Sequence, residues 1–553
     1  MNGARRLVLP LFCFVIASRG LADEPHQHEH GAPPEKLGKV SFDVSCAAAA
    51  RPQFERGVAL LHSFWYDAAE KAFLEVAKTD PSCAMAYWGV AMSNFHPIWA
   101  AGNPGAEPSK AELARGIEAV AKAKAAATQT ERERDYIAAA DAFYRDADTL
   151  DHRARSLAFE AAMARVYEKY PRDREAGIFY ALAILGTVSP ADKTYAAQKK
   201  AAAILNRILP DAPEHPGIAH YLIHSFDYPP LAALALPAAR SYAKIASDAP
   251  HALHMPSHIF TRLGLWEDSI QSNLASAAAA QRYVAKTSPG ATAFDDMHAA
   301  DYLEYAYLQL GRDAEARGVA EKVARVEHLD IPNFAAAYAL AAVPTRYAIE
   351  RGKWSEAAKL EARPAGFPWE KFRNAEAIVV FGRALGAARS GGLGEARAAL
   401  GRLEAIGSEL DKKGDKYWSG QVEIQRLEAA SWLARAEKRD EEAVRLATSA
   451  ADREGATDKH AVTPGPILPA RELLGDLLLD LQQPGPALKE YEASLAVAPN
   501  RFHGLAGAAS AARAAGDDAK AQTYSAQLLA LAANADPGRP EIRDAKRSAA
   551  RDK

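Results

Sequence analysis

The sequence predicts an all-α fold, a long solenoid of antiparallel helix pairs, and three observations carry that prediction. The first is composition. The 553 residues are 49% hydrophobic but only 8% aromatic, with alanine runs at 47–50 and 277–280. Alanine is the best helix former, whereas the β-branched and aromatic residues that strands favour are thin. The second is a spacing of 34 residues that recurs in the apolar and small-residue pattern, marking repeated helix–turn–helix units. The third is that the 25% charged residues are spread along the chain, which argues against a disordered polymer. A net charge of −3, from 67 Lys+Arg against 70 Asp+Glu, offers no basic footprint for nucleic acid.

Taken in order, the chain starts with a secretory signal. Arg5 and Arg6 precede a twelve-residue apolar stretch at 7–18, and small residues Gly20 and Ala22 flank Leu21 at a signal-peptidase site. The stretch is too short to span a bilayer permanently, and no second long apolar run follows. Residues 1–22 are therefore expected to be removed, leaving a periplasmic or secreted chain without a membrane span. Residues 23–49 read as a flexible segment. Its three alternating histidines, His26, His28 and His30, with acids between them, suit either a loose metal-capturing tail or a solvated linker. Cys13 leaves with the signal, so only Cys46 and Cys83 remain. In an oxidising compartment two cysteines favour a disulfide, with two buried thiols as the alternative.

Residues 50–535 carry the repeats. Gly57, Leu60, Tyr66, Ala69, Phe73 and Pro81 outline the first unit, and Ala86, Tyr87, Trp88 and Gly89 open the next. Leu263-Gly264 and Leu310-Gly311 mark turns between helices in the middle. Leu474-Gly475, Pro486-Ala487, Tyr491, Pro499 and Gly516 mark units near the end. Small residues at these offsets let paired helices approach, glycine breaks the helix between them, and proline ends the unit. The pattern resembles the tetratricopeptide repeat family, in the form of an exported bacterial protein. That resemblance implies a superhelix whose first helices line a concave groove, with a peptide or protein partner in it. It is strong at both ends and around 215–320, and degenerate at 100–210 and 360–440. Long connections at 101–109 and 463–469 reduce the array to roughly nine to twelve units. The charged residues 536–553 are expected to fray.

The histidines sharpen the reading. Six of the 16 fall within residues 215–258: His215, His220, His224, His251, His254 and His258. His220 and His224 lie four residues apart on one helix face, as do His254 and His258. The second pair follows the first by 34 residues, as Pro250 follows Pro216 and Phe260 follows Phe226. The two pairs thus occupy equivalent places on neighbouring first helices. With packed axes about 8–10 Å apart, four imidazoles would converge on one zinc or copper ion. Pro256 marks a helix start, which puts His254 in or near a first turn, where the dipole disfavours imidazolium. Counting back from Gly264 and Gly311, His251, His254 and His258 align with His298, Asp301 and Tyr305. These are positions that face the groove in the family. Asp301 is a candidate oxygen ligand or a partner for a ligating ring. His62 and His96, also 34 apart, form a possible second metal site. His215 reads as a helix-start residue, and His152, His328, His460 and His503 as surface or packing residues.

Little else signals chemistry. There is no His-Glu-x-x-His, phosphate-binding loop or nucleophile elbow. Tyr221, Tyr302 and Tyr305 are candidates to line the site, while Trp65, Trp88 and Trp266 sit at packing offsets. Residues 459–466 form a pronounced loop. Three functions fit: an exported repeat protein with a zinc or copper site in its groove; a metal-free scaffold for protein partners; or a metal-dependent enzyme with Asp301 or Glu304 as acid or base.

Overall fold

The computed structural model describes residues 35–98, 107–127, 129–189 and 192–550. The signal sequence, the alternating histidines His26–His30 and most of the 101–109 connection lie outside them. Among the described residues every regular element is helical, and no helix is long and apolar enough to cross a membrane. Helix pairs follow one another, with first helices starting at Arg51, Ala84, Glu131, Arg174, Pro216, Pro250, Phe294, Phe334, Arg373, Lys416, Ala470 and Phe502. That makes twelve pairs, so residues 36–550 form a tetratricopeptide-like solenoid, and the stretches with degenerate patterns fold as pairs too. Glu131–Tyr144 pairs with His152–Lys169, and Arg373–Ser390 with Leu393–Lys412.

Local chemistry sets the boundaries. Ser109 and Thr130 each close a capping box on the helix that follows, and Asp151 and Asn333 cap by side chain alone. The turn at Gly264 needs φ +65°, a left-handed conformation, and a β-carbon there would approach the Pro499 carbonyl oxygen to 2.3 Å. Pro256 splits one first helix into Pro250–His254 and Pro256–Arg262. It starts a helix as expected, but His254 ends the preceding short helix rather than opening the next.

Two departures from the sequence expectation concern the ends. The segment expected to be flexible is packed from Leu37 onward, with Leu37, Phe42 and Val44 buried. The Phe42 ring sits among Phe54, Trp88, Tyr136 and Phe179 at centroid distances of 5.1–6.4 Å. Cys46 and Cys83 are joined in a disulfide, which ties this segment to the start of the Ala84–Ser93 helix. At the other end, residues 540–550 pack back onto the last pair. They form a helix whose Ile542 and Ala545 cover Phe502, Leu505 and Leu528.

Residues far apart in the chain also meet. Tyr283 donates to Asp67 at 2.7 Å, Trp266 Nε1 to the Asn500 carbonyl at 2.7 Å, and the Asp536 amide to the Gly311 carbonyl at 3.0 Å. Buried Arg501 reaches Glu350, Glu472 and Tyr305, each at 2.6–2.7 Å. The solenoid therefore turns tightly enough for its early and late pairs to pack onto the middle. First-helix positions that would line an open groove are consequently covered here.

Candidate metal centre

All six histidines of the main prediction, His220, His224, His251, His254, His258 and His298, are buried. They do not converge on one point. The structure divides them into two triads, His220–His224–His251 and His254–His258–His298, and within each the candidate ligand nitrogens lie within 4.8 Å of one another. The Pro216–Phe226 helix supplies the first pair, and the split helix at Pro256 supplies both His251 and the second pair. The Phe294–Gln309 helix supplies His298. Each triad is thus a His-x3-His pair closed by one histidine from the next first helix.

In the first triad, Nε2 of His220 and Nε2 of His224 stand 3.1 Å apart. The other nitrogen of His220, Nδ1, donates to the His62 carbonyl oxygen at 2.6 Å, which leaves Nε2 as the lone-pair nitrogen. In the second triad, Nε2 of His254 faces Nε2 of His258 at 3.0 Å. His254 Nδ1 meets the Asn273 side-chain oxygen at 2.6 Å. The amide orientation follows from its nitrogen, which donates to the Ser269 carbonyl at 2.7 Å. His258 Nδ1 donates to Asp227 at 3.0 Å. The Tyr302 hydroxyl lies 3.3 Å from His258, and the His254 and His298 rings are 4.1 Å apart.

The electrostatics keep these rings neutral. Burial holds His220 and His298 down to about 3, and holds His224, His251 and His254 well below the ordinary imidazole value. Burial also lowers His258, partly opposed by Asp227. Burial alone would raise the Asp227 carboxyl. Lys459 and Arg262 outweigh it and hold the group well below the usual carboxylate range, so it accepts from His258 as an anion. Arg262 Nε and Lys459 Nζ both reach Asp227 at 2.8 Å. Neutral imidazole is the form that ligates a metal ion.

Other expected residues take different places. Asp301 is neither ligand nor support: its Oδ1 accepts from Arg346 at 2.7 Å, and Arg346 also reaches Glu304 at 3.1 Å. A buried guanidinium outcompetes a neutral ring for a carboxylate. His62 and His96 do not form a site together. His62 joins Glu175 and His215, with each ring donating to one carboxylate oxygen at 2.9 Å. Its carbonyl is the acceptor behind His220, because the first pair packs across the groove. His96 packs against Tyr66 with ring centroids 4.4 Å apart, and its Nε2 contacts the Ser93 carbonyl. Tyr221 bonds His62 at 2.9 Å, and Tyr305 belongs to the Arg501 cluster. Trp65, Trp88 and Trp266 are buried in the core. The 459–466 loop turns inward, placing Lys459 on Asp227 and His460 against Phe334 and Trp418.

Sequence reasoning missed Asp227, Asn273, Glu175 and Lys459. Only Asp227 carried a local signal, lying three residues beyond His224 on the same helix end. Asn273 reaches His254 from the second helix of the same pair, while Glu175 and Lys459 come from other pairs.

No protein-family model matches this sequence, and no curated protein matches it. Solved structures similar to it include three remote ones. The human IFIT1 dimer with PPP-AAAA shares 12% identity over 77% of this chain and 88% of that one, with a TM-score of 0.38. Yeast Tom70 shares 12% identity over 91% and 96%, with a TM-score of 0.29. The APC/C hetero-tetramer Cut9–Hcn1 shares 12% identity over 90% and 95%, with a TM-score of 0.28.

Proposed function

We propose that this chain is an exported metalloprotein whose helical solenoid holds two transition-metal ions, zinc or copper, one in each histidine triad. The meeting of His254 and His258 carries the reading. Both Nδ1 hydrogens are committed, one to Asn273 and one to Asp227, so two Nε2 lone pairs face each other at 3.0 Å. Two neutral acceptors at that distance repel, and a cation bound by both removes the repulsion. Two nitrogens each about 2.0–2.1 Å from one ion, at a near-tetrahedral angle, stand roughly 3.3 Å apart, close to the spacing in both triads.

The surroundings support a permanent site. Asn273, Asp227 and the His62 carbonyl orient the ligating rings, as outer partners do in metal centres. The disulfide accords with an oxidising compartment. The acid–base candidates of the enzymatic reading, Asp301 and Glu304, are engaged by Arg346. The peptide-groove reading has less to rest on, because the first-helix histidines are buried.

Metal analysis of protein purified without a histidine tag tests the proposal. Two equivalents of zinc or copper per chain are expected, removable by a chelator and restored on adding the metal. A chain that carries neither metal and takes up neither overturns it.

A further inference from the structure

The two triads are neighbours in the buried interior. His251 and His254 stand three residues apart on the same short helix, yet the first belongs to one triad and the second to the other. Across the divide, the His251–His254 and His224–His258 ring centroids are 6.1 and 6.3 Å apart. His258 and His298, inside one triad, are also 6.3 Å apart.

The donor set discriminates between metals by charge. The candidate ligands of both triads are imidazoles, and Asp227, the carboxylate bonded to His258, is already engaged by Arg262 and Lys459. Two divalent ions would bring four positive charges into this buried space, and burying unpaired charge is costly. Two copper(I) ions bring half as many, and imidazole suits copper. A cavity of about 80 Å³ borders His224, walled by Ile98, Leu185 and Val188 on one side and by Asp458, Lys459 and His460 on the other.

We propose that the two triads form one dinuclear copper centre that binds dioxygen between its ions. This rests on the reading that each triad holds a metal. Each copper(I) gives up one electron, and dioxygen takes both and is held as peroxide between two copper(II) ions. The O–O bond falls from double to single, no Cu–N bond breaks and no proton is consumed. Peroxide's two negative charges offset the rise on the metals, so the centre keeps the same net charge in both states. Release of dioxygen reverses every step.

The test loads the untagged, full-length, metal-free chain with copper(I) under argon and then admits oxygen. Two coppers per chain are expected, with one dioxygen taken up per pair and an intense near-ultraviolet peroxide-to-copper absorption. The bound copper(II) should give no EPR signal, because the paired spins couple. Two bound coppers that give an ordinary copper(II) EPR signal, or that take up no oxygen, overturn the shared centre while leaving two metal sites standing. Retention of neither copper nor zinc overturns both readings. His298→Ala should cost the second copper, abolish the absorption and leave an EPR-visible ion in the first triad. An unchanged absorption in that variant also overturns the shared centre. If the variant does not fold, the native measurement decides alone.

Discussion

Asn273 holds His254 in the one tautomer that turns its lone pair toward His258. The amide accepts from Nδ1 at 2.6 Å and is itself held by the Ser269 carbonyl. Asn273→Leu keeps the volume and removes the acceptor. Metal affinity at the second triad should fall roughly 10–100-fold, measured by competition with a chelator, while helical content by circular dichroism stays the same. At this scale the candidate site was half legible. The 34-residue register picks out His220, His224, His254 and His258 as equivalents, and the turn glycines align His251 with His298. What that register cannot express is grouping. Equal positions on neighbouring helices need not point to one centre, and each pair instead closes on a ring from the following helix. Asp301 illustrates the other gap. It sits at the aligned position, but Arg346, 45 residues away, claims its carboxylate.

Among elements, the segment from Leu37 to Cys46 behaves as part of the fold. Phe42 fills a cage of four aromatic rings, Arg132 lies 4.7 Å over its face, and the disulfide closes a loop of 37 residues in sequence separation. Replacing Cys46 and Cys83 by serine should cost roughly 3–4 kcal/mol on the chain-entropy account. It would be read as a lower unfolding midpoint in denaturant, with the native chain under reducing conditions shifting the same way. The helix pairs themselves were legible because glycine turns, small contact residues and terminal prolines are local signals. The packing of residues 36–46 was not. Its anchors, Leu37, Phe42 and Val44, lie in a short run without helical spacing, and the rings around Phe42 come from four different helices.

Across the whole molecule, the late pairs are fastened to the middle by a few buried charges. Arg501 binds Glu350 and Glu472, and all three are buried. Arg501→Met leaves two carboxylates without their cation. Removing one partner of such a pair costs roughly 3–5 kcal/mol, so the thermal midpoint should drop clearly, with the C-terminal pairs losing hydrogen-exchange protection first. The early pairs close from the other side, and Gly217 makes that possible, since a β-carbon there would meet His62 Nδ1 at 2.7 Å. None of these closures is visible in a repeat pattern, which describes each pair and its neighbour but not how far the superhelix winds before it touches itself.

The split of the histidines into triads has a further meaning when followed one pair along. The register equivalents of His254 and His258 on the Phe294–Gln309 helix are Asp301 and Tyr305. Both face Arg346, the first through an ion pair at 2.7 Å and the second with its ring 5.0 Å from the guanidinium. Three successive first helices thus carry side chains at equivalent register positions, two histidine pairs and then Asp301 with Tyr305. In the third, the aligned side chains face a cation that the polypeptide carries itself, so an arginine takes the place that the proposed ions would have beside the two histidine pairs.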